Sequence, residues 1–146
     1  MPIEPNDLGV WGLDWACGLP LIIITVVIHA YGLSLIHKDI SATLRRASNS
    51  AAFVVGRAAL SASVLHALEV ICWAIVYRLV GALPNFRSAM LYSLNAMTSY
   101  GHADIRLAAN WPLLGALEAL NGWILFGLTT AFMFTVLDRA WLRTSS

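Results

Sequence analysis

The sequence predicts an all-α membrane protein with three transmembrane helices and a re-entrant segment between the second and the third. Hydrophobic residues make up 59% of the 146 residues and charged residues only 12%, against about 25% charged in soluble domains. Three apolar stretches are long enough to cross a bilayer, which takes roughly 20 residues. A fourth apolar run is too short to cross and too apolar for an exposed loop. A net charge of +1 gives no indication of nucleic-acid binding.

The N-terminal part predicts an interfacial segment followed by the first span. Residues 1–18 carry Trp11 and Trp15, which are typical of the aromatic belt at a membrane surface. Residues 19–37 contain no Asp, Glu, Lys or Arg and predict the first transmembrane helix. Residues 38–50 predict a cytoplasmic linker. Because the N-terminus lacks Lys and Arg, we expect the first span to stay in the mature protein rather than to be cleaved.

The second apolar stretch, 51–81, predicts an outer helix with one face turned away from lipid. It carries Arg57, His66 and Glu69, which a helix surrounded by lipid would not tolerate. Arg57 and Glu69 lie twelve residues apart, too far to pair within one helix. We therefore expect each of them to meet a polar partner on another helix.

The last apolar stretch, 111–138, predicts the third span, and Glu118 is the charged residue inside it before Asp138 closes it. The positive-inside rule places the N-terminus outside and the C-terminus in the cytoplasm. This makes the chain a multi-pass protein of a cell membrane, with the bacterial inner membrane as the expected location. The rule counts five basic residues against three: Lys38, Arg45, Arg46, Arg139 and Arg143 against Arg78, Arg87 and Arg106.

The segment between the second and third spans carries a recognisable motif. Residues 98–104 read Thr-Ser-Tyr-Gly-His-Ala-Asp and follow a short run suited to a helix. The motif resembles the selectivity filter of the tetrameric pore-loop cation channels, whose potassium-selective members carry Thr-Val-Gly-Tyr-Gly-Asp. In the preferred alignment Thr98, Gly101 and Asp104 match the family motif at their positions. The departures are Tyr100 for an aliphatic residue, His102 for Tyr and Ala103 for Gly. A second alignment places Tyr100 and Gly101 on the final Tyr-Gly, with a gap before them and a bulge after.

The resemblance implies a passive cation channel and no enzyme activity. Such filters are rings of backbone carbonyls from four chains, so it implies a homotetramer in the lipid bilayer, with K⁺ or Na⁺ as permeant ions and no other cofactor. The implied pore helix and filter span 84–106 within a pore domain of 51–146. The implied filter residues are Thr98, Ser99, Tyr100, Gly101 and His102, with the monovalent cation held at Thr98 to Gly101. The implied supporting residues are Asn95, Ala103, Asp104 and Glu118, with Asn95 expected to bond Asp104 or filter N–H groups.

Two departures from the family motif predict reduced potassium selectivity. Ala103 stands where the family uses a glycine, and a left-handed residue with a Cβ costs about 1–2 kcal/mol. His102 is shorter than the family's Tyr and takes up a proton near pH 6.5. Both departures fall in the outer part of the filter.

The third span adds a second resemblance. Residues 122–131 read Gly-Trp-Ile-Leu-Phe-Gly-Leu-Thr-Thr-Ala and are similar to the inner helix of the same channels. The resemblance implies a gating hinge at Gly122 or Gly127, because a glycine allows a helix to bend. Close helix packing is the equal alternative for both.

Two alternative functions come from other classes. The chain is also consistent with a non-conducting, channel-like membrane subunit or scaffold. His29 and His66 fall near mid-membrane on different helices, which would permit a bis-histidine haem in a redox subunit. Packed neutral histidines are the preferred interpretation of that pair. No nucleophilic triad, phosphate loop or zinc motif is recognisable in the sequence.

Overall fold

The computed structural model describes residues 5–45, 50–101, 105–108, 111 and 113–142, with side chains from residue 11 onwards and none at 44 and 45. These residues form four α-helices: α1 (Pro5–Arg45), α2 (Ala51–Leu79), α3 (Phe86–Met97) and α4 (Leu114–Leu142). Of these, α1, α2 and α4 are long and apolar enough to cross a membrane. For the described residues, the predictions of an all-α fold and of three helices long and apolar enough to span a membrane are therefore confirmed.

Helix α1 is longer than predicted. Its 41 residues extend about 60 Å, against a hydrocarbon core of about 30 Å. The helix continues through the described parts of the predicted interfacial segment and linker, so both are helical there, while their location relative to a membrane stays a prediction. The N-terminal extension is held against the start of α4: buried Asp14 accepts the Leu113 N–H at 3.2 Å, and Gly18 lies directly against Leu117.

The helix ends follow local capping chemistry. Ser50 begins α2, and its hydroxyl accepts the Phe53 N–H at 3.3 Å. Asn85 begins α3, and its side-chain oxygen accepts the Ser88 N–H at 2.8 Å. Each of these side chains satisfies a backbone donor that a helix N-terminus leaves unpaired. Between α2 and α3 the chain turns at Gly81, whose φ of +70° suits a residue without a Cβ.

The core is divided into two clusters along the helix bundle. The larger one lies where α3 packs against α2 and α4, and it includes Trp73, Tyr77 and Leu125. The smaller one lies at the other end, around Val54 and Val136. The larger cluster therefore fixes α3 in place.

Helix α3 runs back alongside α2. Its Ser93 hydroxyl donates to the carbonyl oxygen of Val70 at 3.0 Å. Val70 lies nine residues before the end of α2, which is about 14 Å along a helix. The chain then returns, because the Ala108 N–H donates to the carbonyl of Ala82, just beyond α2, at 3.0 Å. The segment between α2 and α4 thus leaves and returns at the same end of α2.

Candidate functional site

The residues after α3 form a tight turn, Thr98 to Gly101, called here the 98–101 turn. The Tyr100 N–H donates to the Asn95 carbonyl at 3.0 Å. Ser99 and Gly101 have φ values of +54° and +98°. The prediction that Gly101 supplies a positive φ is confirmed, whereas Ser99 was not anticipated and pays about 1–2 kcal/mol for its Cβ. The whole turn is exposed, Tyr100 to 86%.

The outer part of the predicted filter lies outside the described residues. This applies to His102, Ala103 and Asp104. Their predicted roles, the strain expected at Ala103 and the hydrogen bond expected between Asn95 and Asp104 therefore stay predictions. The described contribution of Asn95 is its backbone carbonyl, which accepts the Tyr100 N–H.

Gly122 is a point of close approach between α3 and α4. A Cβ at this position would overlap the backbone carbonyl of Met97, the last residue of α3. One residue on, the Trp123 indole N–H donates to the Ser99 hydroxyl at 3.1 Å. Gly127 is exposed, and a Cβ there would meet nothing within 4 Å. Close packing therefore accounts for Gly122, while the hinge role stays a prediction for both glycines.

Glu118 connects its own helix, α4, to α2 and α3. Its side chain is fully buried. One carboxylate oxygen accepts the Tyr77 hydroxyl of α2 at 2.5 Å, and the other accepts the Ser93 hydroxyl of α3. Ser93 shares its single proton between Glu118 and the carbonyl of Val70. We call Tyr77, Ser93 and Glu118 the glutamate–hydroxyl joint.

A second polar group lies between α1, α2 and α4. It consists of His29, His66, Glu69 and Thr129, called here the histidine cluster. His29 Nδ1 lies 2.7 Å from one oxygen of Glu69, and His66 Nδ1 lies 3.2 Å from the other. The Nε2 atoms of His29 and His66 lie 2.9 and 3.0 Å from the Thr129 hydroxyl oxygen. His29 and Glu69 are fully buried, and His66 stacks on Phe126.

The two charged residues of α2 that needed partners find them on α1. Arg57 forms an ion pair with Asp39 and donates to the Thr43 hydroxyl at 3.4 Å. Glu69 pairs with His29. The prediction that each meets a polar partner on another helix is confirmed.

The histidines predicted as possible haem ligands lie side by side. The ring centroids of His29 and His66 are 4.9 Å apart, and both rings contact the same hydroxyl, that of Thr129. A bis-histidine haem needs its two rings on opposite faces of a macrocycle. The haem interpretation stays a prediction, which a Soret band in the purified protein would test.

Sequence reasoning did not identify several polar partners of this site. These residues are Asp14, Tyr77, Ser93 and Thr129. Tyr, Ser and Thr are common in apolar helices, and only the packing of helices distant in sequence gives these residues a role. Asp14 offered the clearest signal, as a carboxylate between two tryptophans.

Comparison with known proteins adds no further assignment. No protein-family model, curated protein or solved structure matches the chain. Its function must therefore be argued from its own residues.

Proposed function

We propose that the chain is one subunit of a homotetrameric, passive cation channel of the pore-loop type. In this proposal α3 is a re-entrant pore helix, the 98–101 turn and His102 line the filter, and α4 lines the cavity. The N-terminus lies outside the cell membrane and the C-terminus in the cytoplasm. The observation that carries the proposal is the path of the chain, which leaves α2, descends as α3 and returns to the same end.

The depth of the turn supports a role in a pore. Ser93 is hydrogen-bonded to Val70, so in a bilayer spanned by α2 it lies about 14 Å below the end of that helix. The 98–101 turn follows one helical turn later. Non-helical backbone at membrane depth is tolerated only where it is buried in protein or lines a water-filled cavity. Because Tyr100 is 86% exposed in a single chain, further protein or water must surround the turn.

The chemistry of the turn favours cations. Helix α3 ends at Met97 with Thr98 as its C-cap, and a helix C-terminus carries the equivalent of about half a negative charge. Filters of this kind replace an ion's hydration shell with rings of backbone carbonyls. One turn per chain cannot close such a ring, so four copies around one axis are required.

Two contacts hold the turn at this position. Glu118 accepts a hydrogen bond from Ser93 of α3. Gly122 allows α4 to contact the backbone of Met97. An ion-binding constellation needs its groups fixed to within about 0.5 Å. These contacts tie α3 to α4, and the hydrogen bond from Ser93 to Val70 ties it to α2.

We further propose that the filter selects potassium less strongly than the family motif does. The reasons are His102 and Ala103, which replace the Tyr and Gly of that motif. Reversal potentials in mixed potassium and sodium should differ only modestly between the two ions. A strong preference for potassium would contradict this part of the proposal.

The experiment that tests the function uses purified protein in liposomes. Native mass spectrometry should give a tetramer, and a potassium or sodium gradient should drive flux that an empty liposome lacks. A stable tetramer without flux would favour the non-conducting subunit over the channel. A monomer without flux would overturn the proposal. Protease accessibility of a C-terminal tag in intact cells tests the orientation, and cleavage from outside would contradict it.

A further inference from the structure

We propose that His29, His66 and Glu69 form a binding site for one Zn²⁺ ion per chain, with Thr129 as the residue that orients both histidines. The site lies between α1 and α2 and contacts α4 through Thr129. It does not depend on the channel function, because its ligands lie outside the 98–101 turn.

The donor atoms of three side chains lie close enough together to converge on one metal ion. The ligand atoms of His29, His66 and Glu69 all lie within 4.8 Å of one another. Zinc binds imidazole nitrogen and carboxylate oxygen at about 2.0–2.2 Å in a tetrahedron, so its ligand atoms stand about 3.3 Å apart. The two measured separations between a histidine Nδ1 and a Glu69 oxygen, 2.7 and 3.2 Å, are close to that value.

Thr129 completes the arrangement from the opposite side of both rings. A histidine that binds zinc through one nitrogen donates the N–H of its other nitrogen to a nearby acceptor, which fixes the ring. The Nε2 atoms of His29 and His66 both face the Thr129 hydroxyl oxygen, at 2.9 and 3.0 Å. That oxygen has two lone pairs and accepts from both rings. Both Nδ1 atoms are then left for the metal.

The hydrogen-bond inventory of the cluster leaves room for one cation. A neutral histidine has a single N–H. Suppose that His29 Nδ1 donates its proton to Glu69. The Thr129 hydroxyl then donates to His29 Nε2, and His66 Nε2 donates to the Thr129 oxygen. The remaining His66 Nδ1 and the second Glu69 oxygen then face each other as two acceptors. Both atoms are buried and lack a hydrogen bond, which is costly in an apolar interior. A cation between them removes the conflict.

The donor set and its surroundings favour zinc. Two imidazoles and one carboxylate suit Zn²⁺, and three protein ligands leave a fourth position for water. The His66 side chain is 13% exposed, so the cluster is not fully sealed within the single chain. A zinc-bound water loses its proton near pH 7. The resulting hydroxide and the Glu69 carboxylate together balance the charge of the ion. A proton shared by the histidines is the competing occupant.

The test uses the full-length protein in detergent, stripped of metal with a chelator and then titrated. Isothermal titration at pH 7.5 should give one Zn²⁺ per chain, and Co²⁺ should give the visible absorption of a tetrahedral nitrogen and oxygen site. Glu69→Gln should lower zinc affinity at least about 100-fold. Thr129→Val should keep the stoichiometry and lower affinity about 10–100-fold, as for other residues that orient metal ligands.

The matched control is His37→Gln, which alters a half-buried histidine of α1 that lies outside the cluster and pairs with Arg139. It should bind zinc as the unaltered protein does. Circular dichroism and gel filtration establish that each variant is folded. The proposal is overturned if the folded, unaltered protein binds no zinc, which is the outcome expected when only a proton occupies the cluster. It is also overturned if Glu69→Gln and Thr129→Val are both folded and bind zinc with unchanged affinity.

Discussion

Two fully buried glutamates, Glu118 and Glu69, lie in neighbouring helices with different partners. Glu118 is bound by two hydroxyl groups, one from α2 and one from α3. Glu69 is bound by two imidazoles, one from α1 and one from its own helix. Serine and tyrosine hydroxyls stay neutral near pH 7, whereas imidazoles exchange protons and bind metals. We therefore expect the glutamate–hydroxyl joint to act as a link between helices, and the histidine cluster to take up a proton or the proposed metal ion.

The two regions also differ in what they hold. The joint fixes α3, and through it the 98–101 turn. The histidine cluster ties α1 to α2 and to Thr129 on α4, close to Phe126 and Gly127. Changes at the joint should therefore act on the proposed filter, and changes at the cluster should act on the attachment of α1.

The largest effect is expected from Gly122→Ala, which breaks the support of α3 beside the joint. The added methyl group would overlap the Met97 backbone, and overpacking of this kind costs about 1–3 kcal/mol. Cation flux in liposomes should fall to background. Gly56→Ala is the matched control, because a Cβ there meets nothing within 4 Å. Equal flux from both variants would contradict the assigned contact.

The second-largest effect is expected from variants that distinguish the role of Glu118 from that of Glu69. Glu118→Gln and Glu69→Gln each replace a buried carboxylate oxygen with a donor, and an unsatisfied buried group costs about 1–3 kcal/mol. Both variants should lose stability in denaturant unfolding. Added Zn²⁺ should stabilise the unaltered protein and Glu118→Gln but not Glu69→Gln. If zinc stabilises all three equally, the proposed division between joint and cluster is wrong.

A smaller effect is expected from Thr129→Val, which preserves shape but removes the oxygen shared by His29 and His66. Losing hydrogen bonds of this kind costs about 0.5–1.5 kcal/mol each, so the free energy of unfolding should fall by about 1–3 kcal/mol. Thr135→Val is the control on the same helix, since its exposed hydroxyl bonds only the carbonyl of Ala131 among the described residues. An equal loss of unfolding free energy in the control would contradict the assigned role of Thr129 in the cluster.

The sequence predicted the spans well because hydropathy over 20 residues is a strong, local signal. It misjudged the length of α1, because the contact from Asp14 to Leu113 joins positions 99 residues apart. For the same reason it found Glu118 but not Tyr77 or Ser93. His66 and Glu69 lie three residues apart and give a weak ligand signal. They become a site only when His29 packs against them, which no spacing in the sequence reveals.

The smallest effect concerns His102, a histidine predicted at the channel mouth rather than in the buried cluster. Protonation near pH 6.5 would add one positive charge per chain to the ion path, and four such charges repel cations. Lowering the external pH from 7.5 to 5.5 should therefore reduce flux about two- to tenfold, a range set by an electrostatic cost of up to about 1.4 kcal/mol. His102→Gln should abolish this response, whereas His37→Gln should retain it. An unchanged external pH response in His102→Gln would place the proton-sensitive group elsewhere, with the histidine cluster the first to examine.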